Sequence, residues 1–189
     1  MTLIDPRRIL PEDLLDGFYG PGEIATATGR IVNPWFMQPG DFALQDIGPA
    51  LSKLCRYAGQ IPSFYSVAEH CVWAFDEAAG DGVTDLATLR AIFMHDASEA
   101  YLVDVPAPVK KQPGMRPYRY AEDRLQVALG KRYRFDLFDP ITAETVKKYD
   151  QAAYRFETTF LRQGLITGLQ PCDAEEEWWR VAADLDLSD

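Results

Sequence analysis

The sequence predicts a single all-α domain, a bundle of about six helices behind an irregular N-terminal segment. Three observations predict it. Apolar residues recur at helical spacing from residue 46 onward, helix-start patterns precede several of those stretches, and much of the glycine and proline is gathered in residues 1–45. A chain of 189 residues, 47% of them hydrophobic, is long enough for one substantial core and short for two. Residues 1–189 are therefore read as one domain, with 1–45 loop-rich and 46–189 the helical core.

The N-terminal segment carries Gly20-Pro21-Gly22, Asn33-Pro34 and Pro39-Gly40, and reads as loop with a short hairpin around Ala25 to Val32 turning at Thr28-Gly29. Asp46 is placed to cap a helix running to about Arg56, with Ile47, Leu51 and Leu54 as its apolar stripe. A break follows at Gly59 to Pro62. Ser66-Val67-Ala68-Glu69 is a capping-box pattern, in which the Ser and Glu side chains satisfy orphan backbone donors of the first turn, so the next helix starts there. Asp85 or Thr84 opens a helix to about Tyr101, ahead of Pro106 and Pro108. A helix near Tyr118 to Leu129 stops at Gly130. Thr142 caps a long helix to about Arg162, ended by Gly164, and Asp173 starts the last, through Trp178 and Trp179 to about Ala183.

Composition narrows the function classes. The apolar stretches are short and broken by charge, and Met1 to Leu10 has no continuous apolar run of the secretory kind. Cys55, Cys71 and Cys172 are odd in number and widely spaced, which suits reduced thiols in a cytoplasm. A formal net charge of -10 argues against a broad surface for duplex nucleic acid, whose binding draws on many Lys and Arg contacts to phosphate. One locally basic pocket for a small phosphorylated ligand remains compatible with it.

The chain has two histidines, and both fall in predicted helices among apolar neighbours. His70 lies on the inward stripe of Val67, Cys71, Ala74, Phe75 and Ala78. In the next helix, Asp96 and Glu99 continue the stripe of Leu89, Ile92 and Phe93, with His95 at its edge. Asp150 sits among Val146, Tyr149, Ala153 and Phe160 in the long helix. Each residue alone has an ordinary explanation: a core histidine, or for Asp150 an ion pair with Lys147 or Arg155. Together they set carboxylates and imidazoles on buried faces of three helices, which is costly without a compensating cation. A divalent metal at the junction of His70, His95, Asp96 and Asp150 compensates all four. This ligand set suits Mn²⁺, Co²⁺, Zn²⁺ or Fe²⁺ better than Ca²⁺.

The segments Ser66-Val67-Ala68-Glu69-His70, Met94 to Tyr101, Asp104 to Lys110 and Lys148-Tyr149-Asp150 resemble the HD-domain nucleotide phosphohydrolases. Those include bacterial deoxynucleoside 5'-monophosphatases and phage deoxynucleoside triphosphate hydrolases. The resemblance runs from about Thr26 to Glu157 and implies an HD-domain helical bundle. It also implies one divalent metal, Mg²⁺ included among the candidates, held by His70, His95, Asp96 and Asp150. In such enzymes the ion activates a water for attack on phosphorus. Glu99 matches an acidic position that orients the water or shuttles its proton, and its ordinary alternative is a salt bridge at a helix end. Asp104 matches a second acidic position, near the phosphate and sugar. By the same resemblance Arg56 binds phosphate, Tyr57 packs on base or sugar, and Lys110, with Lys111, offers charge for further phosphates.

The implied reaction is removal of phosphate from (deoxy)nucleotides, first among them deoxynucleoside 5'-monophosphates. The alternatives are a deoxynucleoside triphosphate triphosphohydrolase, such as a phage dATPase controlling the deoxynucleotide pool, and a non-catalytic nucleotide-binding protein. The Gly-Tyr-Pro signature of the cyclic-diguanylate enzymes does not occur. Family members often form homo-oligomers, as dimers or larger rings. Phe64, Tyr65, Trp73, Trp178 and Trp179 are read as core or interface. Trp35 and Phe36 are read either as a lid or as a contact with a second subunit.

Overall fold

The computed structural model describes residues 22–189, and the part of the predicted loop segment within residues 1–21 lies outside them. The described chain is all-α apart from one small hairpin. Strands β1 (Ile24–Ala25) and β2 (Ile31–Val32) pair antiparallel, with Ile24 opposite Val32, around a turn in which Gly29 takes φ 81°. There follow α1 (Leu44–Lys53), α2 (Val67–Gly80), α3 (Leu86–Met94), the single turns α4 (Glu99–Leu102) and α5 (Ala107–Lys110), α6 (Arg116–Tyr133), α7 (Pro140–Phe160) and α8 (Pro171–Asp184). Short 3₁₀ turns lie at Pro39–Asp41, Arg56–Gly59 and Pro113–Met115.

Helix α2 is the axis of the bundle. Its sequence is apolar or small on nearly every side, and it packs against α1, α3, α7 and α8. The predicted capping box starts it: the Glu69 amide donates to Ser66 Oγ (3.1 Å), and the Ser66 amide donates to Glu69 Oε2 (2.9 Å). Glu69 Oε1 accepts from the Leu169 amide (2.7 Å), which pins the chain ahead of α8 to the same turn. Trp178 of α8 is fully buried between Phe93 of α3 and Gly48 of α1. A Cβ on Gly48 would come within 2.6 Å of the indole, so a glycine is needed for α1 and α8 to approach this closely.

Four predicted boundaries are corrected. Asp46 does not cap α1, which begins at Leu44; its buried carboxylate instead accepts the Thr28 amide (2.8 Å) and faces Arg30 (3.7 Å), fastening the hairpin to the helix. Helix α1 stops at Lys53 rather than Arg56, because Leu54 to Arg56 run extended beside Tyr65 to Val67 (Arg56 N to Tyr65 O, 2.9 Å; Val67 N to Leu54 O, 3.0 Å). Asp139, not Thr142, caps α7; it accepts the Thr142 amide at 2.9 Å and is followed by Pro140 in the first helical position. Likewise Pro171 opens α8 two residues before Asp173.

The remaining two differences bear on packing. Helix α6 passes through Gly130 to Tyr133 and ends on Arg134 in the left-handed conformation. The glycine is there for closeness, since a Cβ would strike the carbonyl oxygen of Phe135. The helix predicted from Asp85 to Tyr101 starts as expected, with the Asp85 side chain accepting the Thr88 amide, but breaks after Met94. Residues 95–98 wind more tightly, with Ala97 N to Met94 O (3.0 Å) and Glu99 N to Asp96 O (2.9 Å). Among the described residues no helix is long and apolar enough to cross a membrane. Cys55, Cys71 and Cys172 are free thiols.

Candidate metal centre

The break after α3 has a local cause. His95 Nδ1 lies 2.7 Å from the carbonyl of Ile92, the acceptor that a continuing α-helix would offer to Asp96. The Asp96 amide is turned to the buried Cys71 sulfur instead, and Gln126 Nε2 donates to the His95 carbonyl. Side chains thus replace helical hydrogen bonds at the HD pair. His95 and Asp96 are left at the end of α3, facing α2 and α7.

The four predicted ligands come together there. His70 Nε2 lies 3.1 Å from His95 Nε2, 3.3 Å from Asp150 Oδ1 and 3.7 Å from Asp96 Oδ2. His95 Nε2 is 3.4 Å from Asp96 Oδ2 and 3.9 Å from Asp150 Oδ1. His70, His95 and Asp150 form a group able to hold a metal ion, and Cys71, His95 and Asp96 form an overlapping one. The alternative pairing of Asp150 with Lys147 or Arg155 is not formed among the described residues. His70 is fully buried, while the Asp150 side chain is 44% exposed, so the cluster opens to solvent on the α7 side.

The outer nitrogens decide what the inner ones can do. His70 Nδ1 is 2.6 Å from Glu157 Oε1, and His95 Nδ1 faces a carbonyl, so both Nδ1 atoms must carry hydrogen. Two neutral imidazoles would then point lone pairs at each other across 3.1 Å, a repulsion relieved either by a proton on one Nε2 or by a metal ion between them. Electrostatics agree. Burial and the Arg56 charge oppose a positive His70, yet the hydrogen bonds and charges of Asp150 and Glu157 outweigh them and raise its affinity for a proton. Asp150 is held well below the usual carboxylate range: burial resists its charge, but the His70 hydrogen bond and the charges of the two histidines win. Burial is outweighed in the same way at Asp96, by His95, His70 and Arg56.

Around this centre lie the other predicted residues. Glu99, 3% exposed, places Oε1 3.2 Å from Lys110 Nζ, and Oε2 is buried without a hydrogen-bond partner. Burial first, and the Asp96 charge next, push its carboxyl well up. Lys110 also bonds Glu122 (2.5 Å), so its charge is shared between two carboxylates. Asp104 is half-buried and accepts the Tyr57 amide; burial raises it while Arg56 pulls it down. Arg56 donates through Nε to Glu157 (3.2 Å) and through Nη1 to Asp96 (3.4 Å).

Tyr57 reaches Glu157 through its hydroxyl (2.5 Å) from an unusual backbone: Tyr57, Ala58 and Gly59 have φ values of 59°, 52° and 72°. Two non-glycine residues in the left-handed region carry strain of about 1–2 kcal/mol each, and such strain gathers at functional sites. The Arg162 guanidinium lies over the Tyr57 ring, 5.1 Å from its centre.

Glu157 and Cys71 are the residues sequence reasoning missed. Glu157 lies seven residues beyond Asp150, two turns along the same face, which is the one signal that could have found it. Trp178 is core as predicted, and Trp73 stacks on Phe156 at 5.0 Å. The segment bearing Trp35 and Phe36 is tied to α6, where Arg124 donates to the Trp35 carbonyl (3.0 Å).

No protein-family model matches the chain. It is 34% identical over 110 residues to the uncharacterized protein YfdR of Escherichia coli, covering 58% of this chain and 56% of that protein, so it spans little more than half of that relative's length. It is 32% identical over 135 residues to an uncharacterized protein of Rhodobacter capsulatus, covering 69% of this chain and 68% of the relative.

Proposed function

We propose that this chain, which belongs to the family of the uncharacterized Rhodobacter capsulatus protein, is an HD-type metal-dependent phosphohydrolase acting on deoxynucleoside 5'-monophosphates. One observation carries the metal part of the reading: the facing Nε2 atoms of His70 and His95, each with its Nδ1 already committed. Asp96 and Asp150 add two negative charges to two neutral imidazoles, which a divalent ion balances. An ion held there supplies Lewis-acid polarisation of a phosphoryl oxygen and lowers the pKa of water.

The chain's own residues do the rest. Arg56 is fixed by Glu157 and Asp96 beside the cluster and keeps further N–H groups for the substrate phosphate. Glu99 takes the proton of the attacking water at its unpartnered Oε2, one short turn beyond Asp96. Asp104 holds the Tyr57 amide and with it the left-handed turn that presents the tyrosine ring. Lys110 is engaged by Glu99 and Glu122, so the residue that resemblance would assign to β and γ phosphates is already neutralised. That supports a monophosphate over a triphosphate substrate.

The test is incubation of the purified protein with Mn²⁺, Co²⁺ or Mg²⁺ and a panel of deoxynucleoside mono- and triphosphates, with products separated by chromatography. Free phosphate and nucleoside from monophosphates are expected. Intact triphosphate released from triphosphates would replace this substrate with the alternative one, and no turnover of any nucleotide would sink the proposal.

A further inference from the structure

We infer that Glu157 is a positioning residue that links the two halves of the site: it joins Arg56 and Tyr57 to His70, so that an anion arriving at Arg56 tightens the hold of the cluster on its ion. The inference rests on the reading of the cluster as a metal centre. Glu157 is wholly buried, and the three donors around its carboxylate come from two places in the chain, the Arg56-Tyr57 turn and α2. Oε1 faces His70 Nδ1 at 2.6 Å; Oε2 accepts from Arg56 Nε at 3.2 Å and from the Tyr57 hydroxyl at 2.5 Å.

These donors compete for one negative charge. A carboxylate behind a ligand imidazole fixes its tautomer and raises the donor strength of the opposite nitrogen, and it does so less when other donors draw on it. Arg56 is the strongest competitor, and it is also the cation nearest the metal ligand Asp96. An anion that draws the guanidinium toward itself loosens the Arg56 bond to Oε2, and Glu157 then pulls harder on the His70 Nδ1–H. His70 Nε2 becomes the better ligand. Because such coupling is reciprocal, an ion in the cluster also improves anion binding at Arg56. Direct attraction between ion and anion acts in the same direction but does not need Glu157.

The experiment measures Co²⁺ affinity by calorimetry and by the visible spectrum of bound Co²⁺, with and without inorganic phosphate, in the wild type, Glu157→Gln and Tyr57→Phe. Phosphate is expected to tighten wild-type binding by about fivefold or more. Glu157→Gln weakens Co²⁺ binding by roughly 10- to 100-fold, alters the spectrum, and reduces the phosphate effect to direct attraction alone. Tyr57→Phe removes one competitor and strengthens Co²⁺ binding, whereas mere structural damage would weaken it. Wild-type affinity and an undiminished phosphate effect in Glu157→Gln, or weaker binding in Tyr57→Phe, would overturn the coupling while leaving the metal centre standing. A wild type that binds no Co²⁺ would overturn both.

Discussion

Glu99 leaves one carboxylate oxygen on Lys110 and the other buried without a partner, next to Asp96. Glu99→Gln keeps the shape, and Lys110 keeps Glu122, so Mn²⁺ or Co²⁺ binding should persist while kcat falls about 10²- to 10⁴-fold, as loss of a general base entails. Calorimetry paired with the nucleotide assay checks this; equal turnover in the variant would remove Glu99 from the mechanism. At this scale the candidate ligands were legible because imidazole and carboxylate on an apolar helical stripe conflict with burial. Glu157 was not legible. A glutamate near a helix end is an ordinary surface residue by type, and its partner His70 is 87 residues away. In the sequence Cys71 is legible only as a stripe residue, because its hydrogen bond exists only after α3 has been broken at Asp96.

Helix identities were more legible than helix ends. The Ser66–Glu69 box and the Asp85 cap are local interactions between residues three apart, so sequence alone carries them. The ends of α3 and α6 depend on tertiary contacts as well: Cys71 and Gln126 from other helices join the local His95–Ile92 contact at the first, and Phe135 folds back on Gly130 at the second. Gly130 separates the two kinds of control. In an exposed helix Gly→Ala gains about 1 kcal/mol from propensity. Here the added methyl meets backbone rather than a flexible side chain, and Gly130→Ala should destabilise the protein by about 1–3 kcal/mol, read from urea denaturation. A stabilised variant would mean that the Phe135 turn gives way and that α6 does not depend on this approach.

At the scale of the whole molecule, the candidate ligands come from α2, from the turn that ends α3 and from α7, so any ion they hold must bind the folded chain in preference to the unfolded one. Mn²⁺ at about 100 times its Kd should add about 2.7 kcal/mol of stability, which for a domain of this size raises Tm by roughly 5–10 °C. EDTA should reverse the shift and His95→Ala should abolish it; an equal shift in that variant would place the ion elsewhere. The same arrangement orders events in time. Individual helices form within about a microsecond, from contacts a turn apart. His70 and His95 are 25 residues apart, and His70 and its Glu157 support are 87 apart, so they meet only after α2, α3 and α7 have docked. The candidate site is thus assembled late in folding, only after the core around it has formed.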